Sequence, residues 1–226
     1  MYTEIKYMYL KQHLLTTGMN EAQTLALCEK TKTRNAKKGE SIYLEDGFGS
    51  RIYLVVKGKI KISEVDDRGD ELIKEILGAD EVFGDVSLDG RISEDEFAEV
   101  ITDNCVVCSF NSADFKTIMQ QNPLLAMNYA AQVSFKYRRL ENRHNNLVFK
   151  DAKGRLISFF KDWATREGDR HGDTIVLNNY LTHNDIASII STSRQSVTTL
   201  LNELRDTGLL FYNRKRIEIN APVMMN

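Results

Sequence analysis

The chain lacks any run of about 18 apolar residues, so no segment is expected to span a membrane as a helix. Its first stretch, Met1 to Leu15, has no signal-peptide core and no cleavage site, which makes a cytoplasmic location the expectation. Cysteine is scarce: three residues, an odd number, suit a reducing compartment rather than a disulfide framework. A dominant charge is also missing. Thirty Lys and Arg against 32 Asp and Glu give a net charge of −2, so any DNA affinity must come from local patches. The four histidines, His13, His144, His171 and His183, are scattered. No nucleophile–base pair or metal-ligand spacing accompanies them, so neither an enzyme nor a metal site is indicated. Internal repeats and low-complexity segments are absent. What remains is 226 residues at 42% hydrophobic and 27% charged, an ordinary globular composition with room for one large or two small domains.

The richest stretch lies near the C-terminus, from Leu181 to Leu210. Thr182 is a helix N-cap, and Asp185 three residues on can reach back to it. Ile186, Ala187, Ile189 and Ile190 give this first helix an apolar face, with Ala187 small where a second helix crosses. Ser193 caps the second helix, whose apolar positions Val197, Leu200, Leu201 and Leu204 fall at helical spacing. Its other face carries Arg194, Gln195, Ser196, Thr198, Thr199 and Asn202, side chains that can hydrogen-bond to base edges and phosphates. A merely solvated face would be richer in Glu and Lys. Gly208 ends the helix, and Leu209 to Tyr212 leads through Asn213, Arg214, Lys215 and Arg216 to Ile217, Glu218 and Ile219, a hairpin with a basic tip. A further basic patch is Lys136, Arg138, Arg139 and Arg143.

Upstream, residues 1–35 read as helical, with Asn20 as a cap. From about 37 to 110 the texture turns to short β-type runs between Gly and Asp turns: Ser41–Leu44, Arg51–Val56, Lys59–Ile62 and Val106–Phe110. Such spacing indicates an all-β sandwich or roll. A short helix over 112–121 follows, and Pro123 opens a longer one to about Phe149. Ala126, Ala130, Val133, Tyr137, Leu140, His144 and Leu147 alternate steps of four and three. That heptad seam, flanked by polar residues, predicts a parallel two-helix contact between subunits rather than an intramolecular stripe. His144 reads as an interface residue. From Asp151 comes an amphipathic helix through Arg155, Phe160 and Trp163, then a polar turn over 167–173 and a short strand, Thr174–Leu177.

Two coincidences of spacing need weighing. Cys105 and Cys108 form a C-x-x-C, but residues three apart on a strand point to opposite faces, so neither a shared metal nor a disulfide is expected. Residues Asp85 to Glu96 fit the calcium-loop pattern of an EF-hand, with Gly90 at position six and Glu96 at twelve. Gly78 and Gly84 spoil the entering helix and no second loop exists, so a solvated acidic loop is the reading kept.

The order of parts, a Gly-punctuated β-roll, a long dimer helix and a winged helix-turn-helix, resembles the Crp–Fnr superfamily of bacterial transcription regulators over nearly the whole chain. The matching pieces are Lys38–Ile42, Tyr53–Lys61, Val82–Asp85, Asn122–Pro123, Gly154–Arg155, Leu181–Ala187, Thr192–Val197 and Leu201–Leu204. The resemblance implies an α+β fold: a cyclic-nucleotide-binding-like β-roll (double-stranded β-helix) over 1–121, a dimerisation helix and hinge over 122–150, and a winged helix-turn-helix over 151–226. It implies a homodimer that reads an inverted repeat in double-stranded DNA through Thr182, Ser193, Arg194, Gln195, Ser196, Thr198, Thr199, Asn202, Arg214 and Lys215. RNA polymerase and an unidentified small-molecule effector are the further candidate partners; no cofactor is implied.

The departures from the family pattern shape the rest. Its cyclic-AMP binders follow Phe-Gly-Glu, about a dozen residues on, with an Arg that pairs with the cyclic phosphate. Here the Glu is Asp85, and Asp95, Glu96 and Phe97 stand near the place of that Arg. Arg91 is the nearby cation, and the family's adenine-contacting Thr-Ser pair aligns with Leu140 and Glu141. The candidate effector pocket is Gly84, Asp85, Val86, Ser87, Arg91, Glu96, Phe97, Leu140 and Glu141, with cyclic-AMP gating of the usual kind not expected, since carboxylates repel a phosphate. The N-terminal cysteine cluster of the iron–sulfur branch is absent. In the recognition helix Gln195 stands for the usual Glu and Thr199 for the second Arg, which predicts a more A·T-rich site. Ser191 takes the inter-helix turn where relatives often have Gly. Two other readings stay open: a conventional cyclic-nucleotide-gated regulator, and a cyclic-nucleotide-fold module that binds protein.

Overall fold

The computed structural model describes residues 2–42, 45–46, 49–67, 69, 71–89 and 96–224. Contacts divide the chain into two compact units, 1–138 and 139–226.

The first unit begins with α1 (Tyr2–Gln12), a 3-10 turn (Leu14–Thr16) and α2 (Glu21–Lys30). Asn20 caps α2 reciprocally: its Oδ1 accepts from Gln23 N at 2.9 Å, and Gln23 Oε1 accepts from Asn20 N at 3.0 Å. The expectation of helix to residue 35 fails at Lys32, where β1 (Lys32–Ala36) begins. Its first four residues are polar because it is an edge strand, paired among the described residues with β9 alone (Cys105–Asn111); pairing overrides the weak local propensity. The other strands are β2 (Ser41–Ile42), β3 (Glu45–Asp46), β4 (Gly49–Lys57), β5 (Ile60–Val65), β6 (Glu71–Leu77), β7 (Val82–Gly84) and β8 (Glu96–Val100). One antiparallel sheet runs β1-β9-β4-β3 with β7 on β4, and the other runs β2-β8-β5-β6.

Strand β4 carries a continuous apolar run because both of its faces are covered. Tyr53 and Val55 join Ile60, Ile62, Leu77, Phe83, Ala98 and Val100 between the sheets. Tyr53 stacks on Phe83 with centroids 4.8 Å apart. Ile52 and Leu54 face the other way, against Leu10, Leu27, Phe115, Leu125 and Tyr129 of the helical layer. That layer includes α3 (Ser112–Gln121) and the start of α4 (Pro123–Phe149), as the spacing predicts. Cys105 lies in the first cluster and Cys108 in the second, so the two thiols do sit on opposite faces. Burial pushes both thiols up, Cys105 to about 11, which makes them inert apolar fillers.

The second unit contains α5 (Ala152–Glu167), β10 (Asp169–His171), β11 (Thr174–Asn178), α6 (His183–Ile189), α7 (Arg194–Asp206), β12 (Leu210–Tyr212), β13 (Arg216–Asn220) and α8 (Ala221–Met224). The strands form one antiparallel sheet, β10-β11-β13-β12. The polar turn expected over 167–173 therefore holds a short exposed strand, recruited by pairing with β11. Leu156, Phe160 and Trp163 of α5 share the buried interior with Ile186, Val197, Leu201, Leu204, Leu210, Ile217 and Ile219. No described helix is long and apolar enough to cross a membrane.

His13 gives the first unit a pH dependence. It is 3% exposed, and its Nδ1 accepts from Leu15 N at 3.1 Å. Its Nε2 has no hydrogen-bond partner among the described residues. Burial lowers its pKa to about 4, against the opposing pull of Asp80. The unfolded chain takes up a proton near pH 6.5 that the folded chain refuses until about pH 4, so stability held above pH 6.5 is lost as pH falls through that window. Between pH 7 and pH 5 the loss from this group is about 2 kcal/mol. Urea titrations followed by circular dichroism should find that His13→Leu loses that much less between the two pH values. An unchanged pH dependence would show that His13 is not buried neutral.

Candidate functional site

Helix α6 starts with a capping box in which Asp replaces the usual Glu. Thr182 Oγ1 accepts from Asp185 N at 3.1 Å, while Asp185 Oδ2 accepts from Thr182 N at 2.7 Å. The turn into α7 places Ser191 at φ +53°, the left-handed region expected for this position. Arg155 holds that turn: Nε donates to Ile190 O at 2.8 Å and a terminal nitrogen donates to Ser191 O at 3.2 Å. In sequence Arg155 belongs to a matching dipeptide and an amphipathic helix, and nothing local in α5 signals a contact 36 residues away. Ser193 Oγ then accepts from Ser196 N at 3.0 Å and caps α7.

Helix α7 buries Val197, Leu201 and Leu204 and leaves Arg194, Gln195 and Thr199 exposed. Ser196, Thr198 and Asn202 are only half-exposed and are engaged within the unit. Ser196 Oγ lies 2.8 Å from Ser193 Oγ, His183 Nδ1 lies 2.9 Å from Thr198 Oγ1, and Tyr212 Oη donates to Asn202 Oδ1 at 3.4 Å. Burial, and then the Arg194 cation, hold the His183 imidazole below its ordinary range. Gly208 closes the helix at φ +69°, a conformation glycine adopts without strain. Strands β12 and β13 pair Leu210 with Ile219 and Tyr212 with Ile217. At their tip Asn213 Oδ1 accepts from the backbone of Lys215 and Arg216, at 2.8 and 2.9 Å. Arg216 is neutralised by Glu218 at 3.0 Å, so the basic tip rests on exposed Arg214 and Lys215.

The candidate effector residues distribute unevenly. Gly84, at φ +85°, cannot be replaced without a clash, since a Cβ there would lie 2.3 Å from Arg51 O. It turns the chain so that Asp85, 1% exposed, accepts from Ser50 Oγ at 2.8 Å and from Ser87 Oγ at 3.4 Å. Tyr129 of α4 donates its hydroxyl to Val86 O, and burial, with Asp85 nearby, pushes its pKa up. Gly84, Asp85, Val86 and Ser87 thus form one cluster beside α4. Arg91 and the middle of the calcium-like loop lie outside the described residues. Leu140 and Glu141 fall in the second unit. The acidic loop expected over 85–96 gives way to strand at Glu96, because Glu96–Val100 pairs with β5. Alternation then sends Glu96 and Phe97 to opposite faces of the sheet. Among the described residues no group of three or more His, Cys, Asp or Glu is placed to hold a metal ion.

Glu96 has partners of a kind sequence did not disclose. The pairs Ile62–Ala98 and Glu64–Glu96 put both glutamates on the sheet face that also carries Ile60 and Ile62 of the roll interior. A register shift at Ile62/Ser63 leaves Lys74 as an extra residue in β6. Its ammonium sits 2.8 Å from Glu64 Oε2 and 2.6 Å from Glu96 Oε2. Burial opposes that charge, but the two carboxylates raise the Lys74 pKa on balance. Lys136 of α4 pairs with Glu75, which faces the same way.

Along α4, Leu125 and Tyr129 are buried in the first unit, whereas the seam residues Ala126 and Val133 are half-buried. The other seam positions, Ala130, Tyr137, Leu140, His144 and Leu147, are exposed in the single chain, Tyr137 and Leu140 at 65% and 66%.

The chain matches the cyclic nucleotide-binding domain model over residues 33–122 and the Crp-like helix-turn-helix domain model over residues 154–225. It is 29% identical over 191 residues to the global nitrogen regulator of Synechococcus elongatus, covering 84% of this chain and 86% of the relative. It is 24% identical over 203 residues to the CRP-like cAMP-activated global transcriptional regulator of Mycobacterium tuberculosis, covering 90% of each. A variant of CooA from Carboxydothermus hydrogenoformans has a similar fold, with a TM-score of 0.76 at 21% identity over 95% of this chain and 94% of that one.

The strained turn is directly testable. Ser191→Gly should raise the unfolding free energy by about 0.5–1 kcal/mol, the left-handed penalty less the extra chain entropy of glycine. Arg155→Ala should lower it by about 1–3 kcal/mol through the loss of its hydrogen bonds to the carbonyls of Lys150, Ile190 and Ser191. Trp163 fluorescence during denaturant unfolding reports both, and a destabilised Ser191→Gly would contradict the assigned geometry.

Proposed function

The chain belongs to the Crp–Fnr family of transcription regulators, and on that premise we propose that it binds an inverted-repeat operator as a homodimer and is not gated by cyclic AMP in the usual way. The observation that carries the DNA reading is the exposed, nearly uncharged face of α7, capped by Ser193 and flanked by the Arg214–Lys215 tip. Such a helix enters a major groove while a hairpin tip follows the backbone. Arg194 suits phosphate or a guanine edge, Gln195 an adenine and Thr199 a thymine methyl. Thr182, Ser193, Ser196, Thr198 and Asn202 frame these readers.

The exposed seam residues Ala130, Tyr137, Leu140, His144 and Leu147 support a parallel helix pair, and a two-fold dimer presents two recognition helices about one helical turn of DNA apart. The functional segments proposed are 1–121 for sensing, 122–150 for dimerisation and hinge, and 151–226 for DNA binding. The proposed setting is the cytoplasm, with RNA polymerase and an effector other than cyclic AMP as further partners; no catalytic step is assigned.

The case against ordinary cyclic-AMP gating rests on the roll's charged face. Glu64, Glu75 and Glu96 present three carboxylates there, and the two described ammoniums, Lys74 and Lys136, are already paired with them. An anionic phosphate at this face would have to displace those carboxylates and then sit beside them.

Two variants test the reading by fluorescence anisotropy on a duplex selected from a random pool, with salt varied. Arg214→Ala should weaken binding evenly across sequences and reduce the slope of log affinity against log salt by about 1. Leu140→Asp should yield monomers in sedimentation and lose cooperative binding to the full inverted repeat. No salt-dependent duplex binding by the unsubstituted chain would overturn the DNA reading, and a dimeric Leu140→Asp chain would overturn the seam.

A further inference from the structure

Four side chains behind the exposed face of α7 form a linked set. Thr198 Oγ1 donates its one proton to Arg194 O at 3.0 Å. The same oxygen lies 2.9 Å from His183 Nδ1, so the hydroxyl accepts there and the imidazole carries its proton on Nδ1. The other side of the His183 ring packs at a tilt against Tyr212, with centroids 5.4 Å apart and planes at 58°. Tyr212 in turn donates its hydroxyl to Asn202 Oδ1 at 3.4 Å. The set joins the first residue of α6, two successive turns of α7 and the last residue of β12.

Resting on the DNA-binding reading, we propose that His183 is a positioning residue that locks recognition helix to wing, and that Thr198 and Asn202 serve this lock instead of reading bases. Base reading is then confined to Arg194, Gln195 and Thr199, the exposed members of the polar face. The physical reason is the hydrogen-bonding capacity of each group. The Thr198 hydroxyl has spent its donor on a helix carbonyl and an acceptor site on His183. Turning it toward a base would leave the half-buried His183 N–H without a partner. Thr198 and Asn202 are four apart and share a stripe, with exposed Arg194 at its N-terminal end, while Gln195 and Thr199 form the neighbouring stripe.

The lock predicts a pattern that independent readers would not give. In the full-length dimer, His183→Ala and Thr198→Ala should each weaken operator binding about fivefold, and the double variant should be no weaker than either single one. His183→Asn, whose amide N–H replaces Nδ1–H, should restore binding to within about twofold. Measured against every single-base variant of the operator, Thr198→Ala and Asn202→Ala should lower affinity by the same factor throughout. Gln195→Ala and Thr199→Ala should each flatten the preference at one base pair. Loss of preference at a defined base pair in Thr198→Ala or Asn202→Ala would overturn the inference and leave the DNA-binding reading intact. Additive effects of His183→Ala and Thr198→Ala would do the same. A chain that binds no duplex at all would overturn both.

Discussion

The constraint on which the rest of the second unit depends is the division of helix α7 into a stripe that must be dry and an adjoining stripe that must stay wet. Val197, Leu201 and Leu204 are buried to within 1% of full burial, so the helix cannot roll without pulling them into water. Each fully buried side chain of this size contributes about 1.5–3 kcal/mol, enough to fix the rotational setting of the helix firmly. The remaining freedom is translation and tilt. These are removed by the Ser193 cap at one end, Gly208 at the other, and the Arg155 grip on the turn between α6 and α7. The polar face is thus delivered in a fixed orientation without any of its exposed residues taking part in folding. The exposed side chains Arg194, Gln195 and Thr199 can vary while the scaffold stays the same.

The first unit solves a different problem. Strand β4 is buried on both faces and ties the roll interior to the helical layer, so the roll and the first turns of α4 are mechanically one body. On this body the charged face of the four-stranded sheet is closed by its own ion pairs, and one of them, Lys136 to Glu75, ties α4 directly to β6. Partly buried pairs of this kind are worth little as net stability but are costly to break singly, which makes them sensitive to any ligand that competes for one partner. A signal that separates Lys136 from Glu75 would act on α4, the helix proposed to carry the dimer seam. Such an action needs only a ligand with different affinity for the paired and unpaired states.

The helices were legible because their signals are local. Asn20, Thr182 and Ser193 each announce a helix start, and the caps form as the residue types dictate. The strained Ser191 was legible too, since a tight turn between helices demands a left-handed residue whatever occupies it. What escaped depends on partners distant in sequence. Edge strand β1 has no apolar alternation to betray it, and β8 was hidden by its acidic residues, since Glu96 and Glu99 outweighed the Phe97 and Ala98 between them. The bulge that inserts Lys74 between two glutamates leaves no trace in spacing. The bonds of Thr198 to His183 and of Asn202 to Tyr212 escaped as well, because sequence shows which residues share a polar face and not which of them bond within the unit.

The most direct test of the account is the affinity of the 226-residue chain for its selected operator with and without saturating cyclic AMP, in one buffer and at one salt concentration. The account predicts the same affinity in both, with no heat of cyclic-AMP binding in a parallel calorimetric titration. Micromolar cyclic-AMP binding that tightens the operator complex would contradict it, and would mean that the carboxylates of the roll yield to a phosphate.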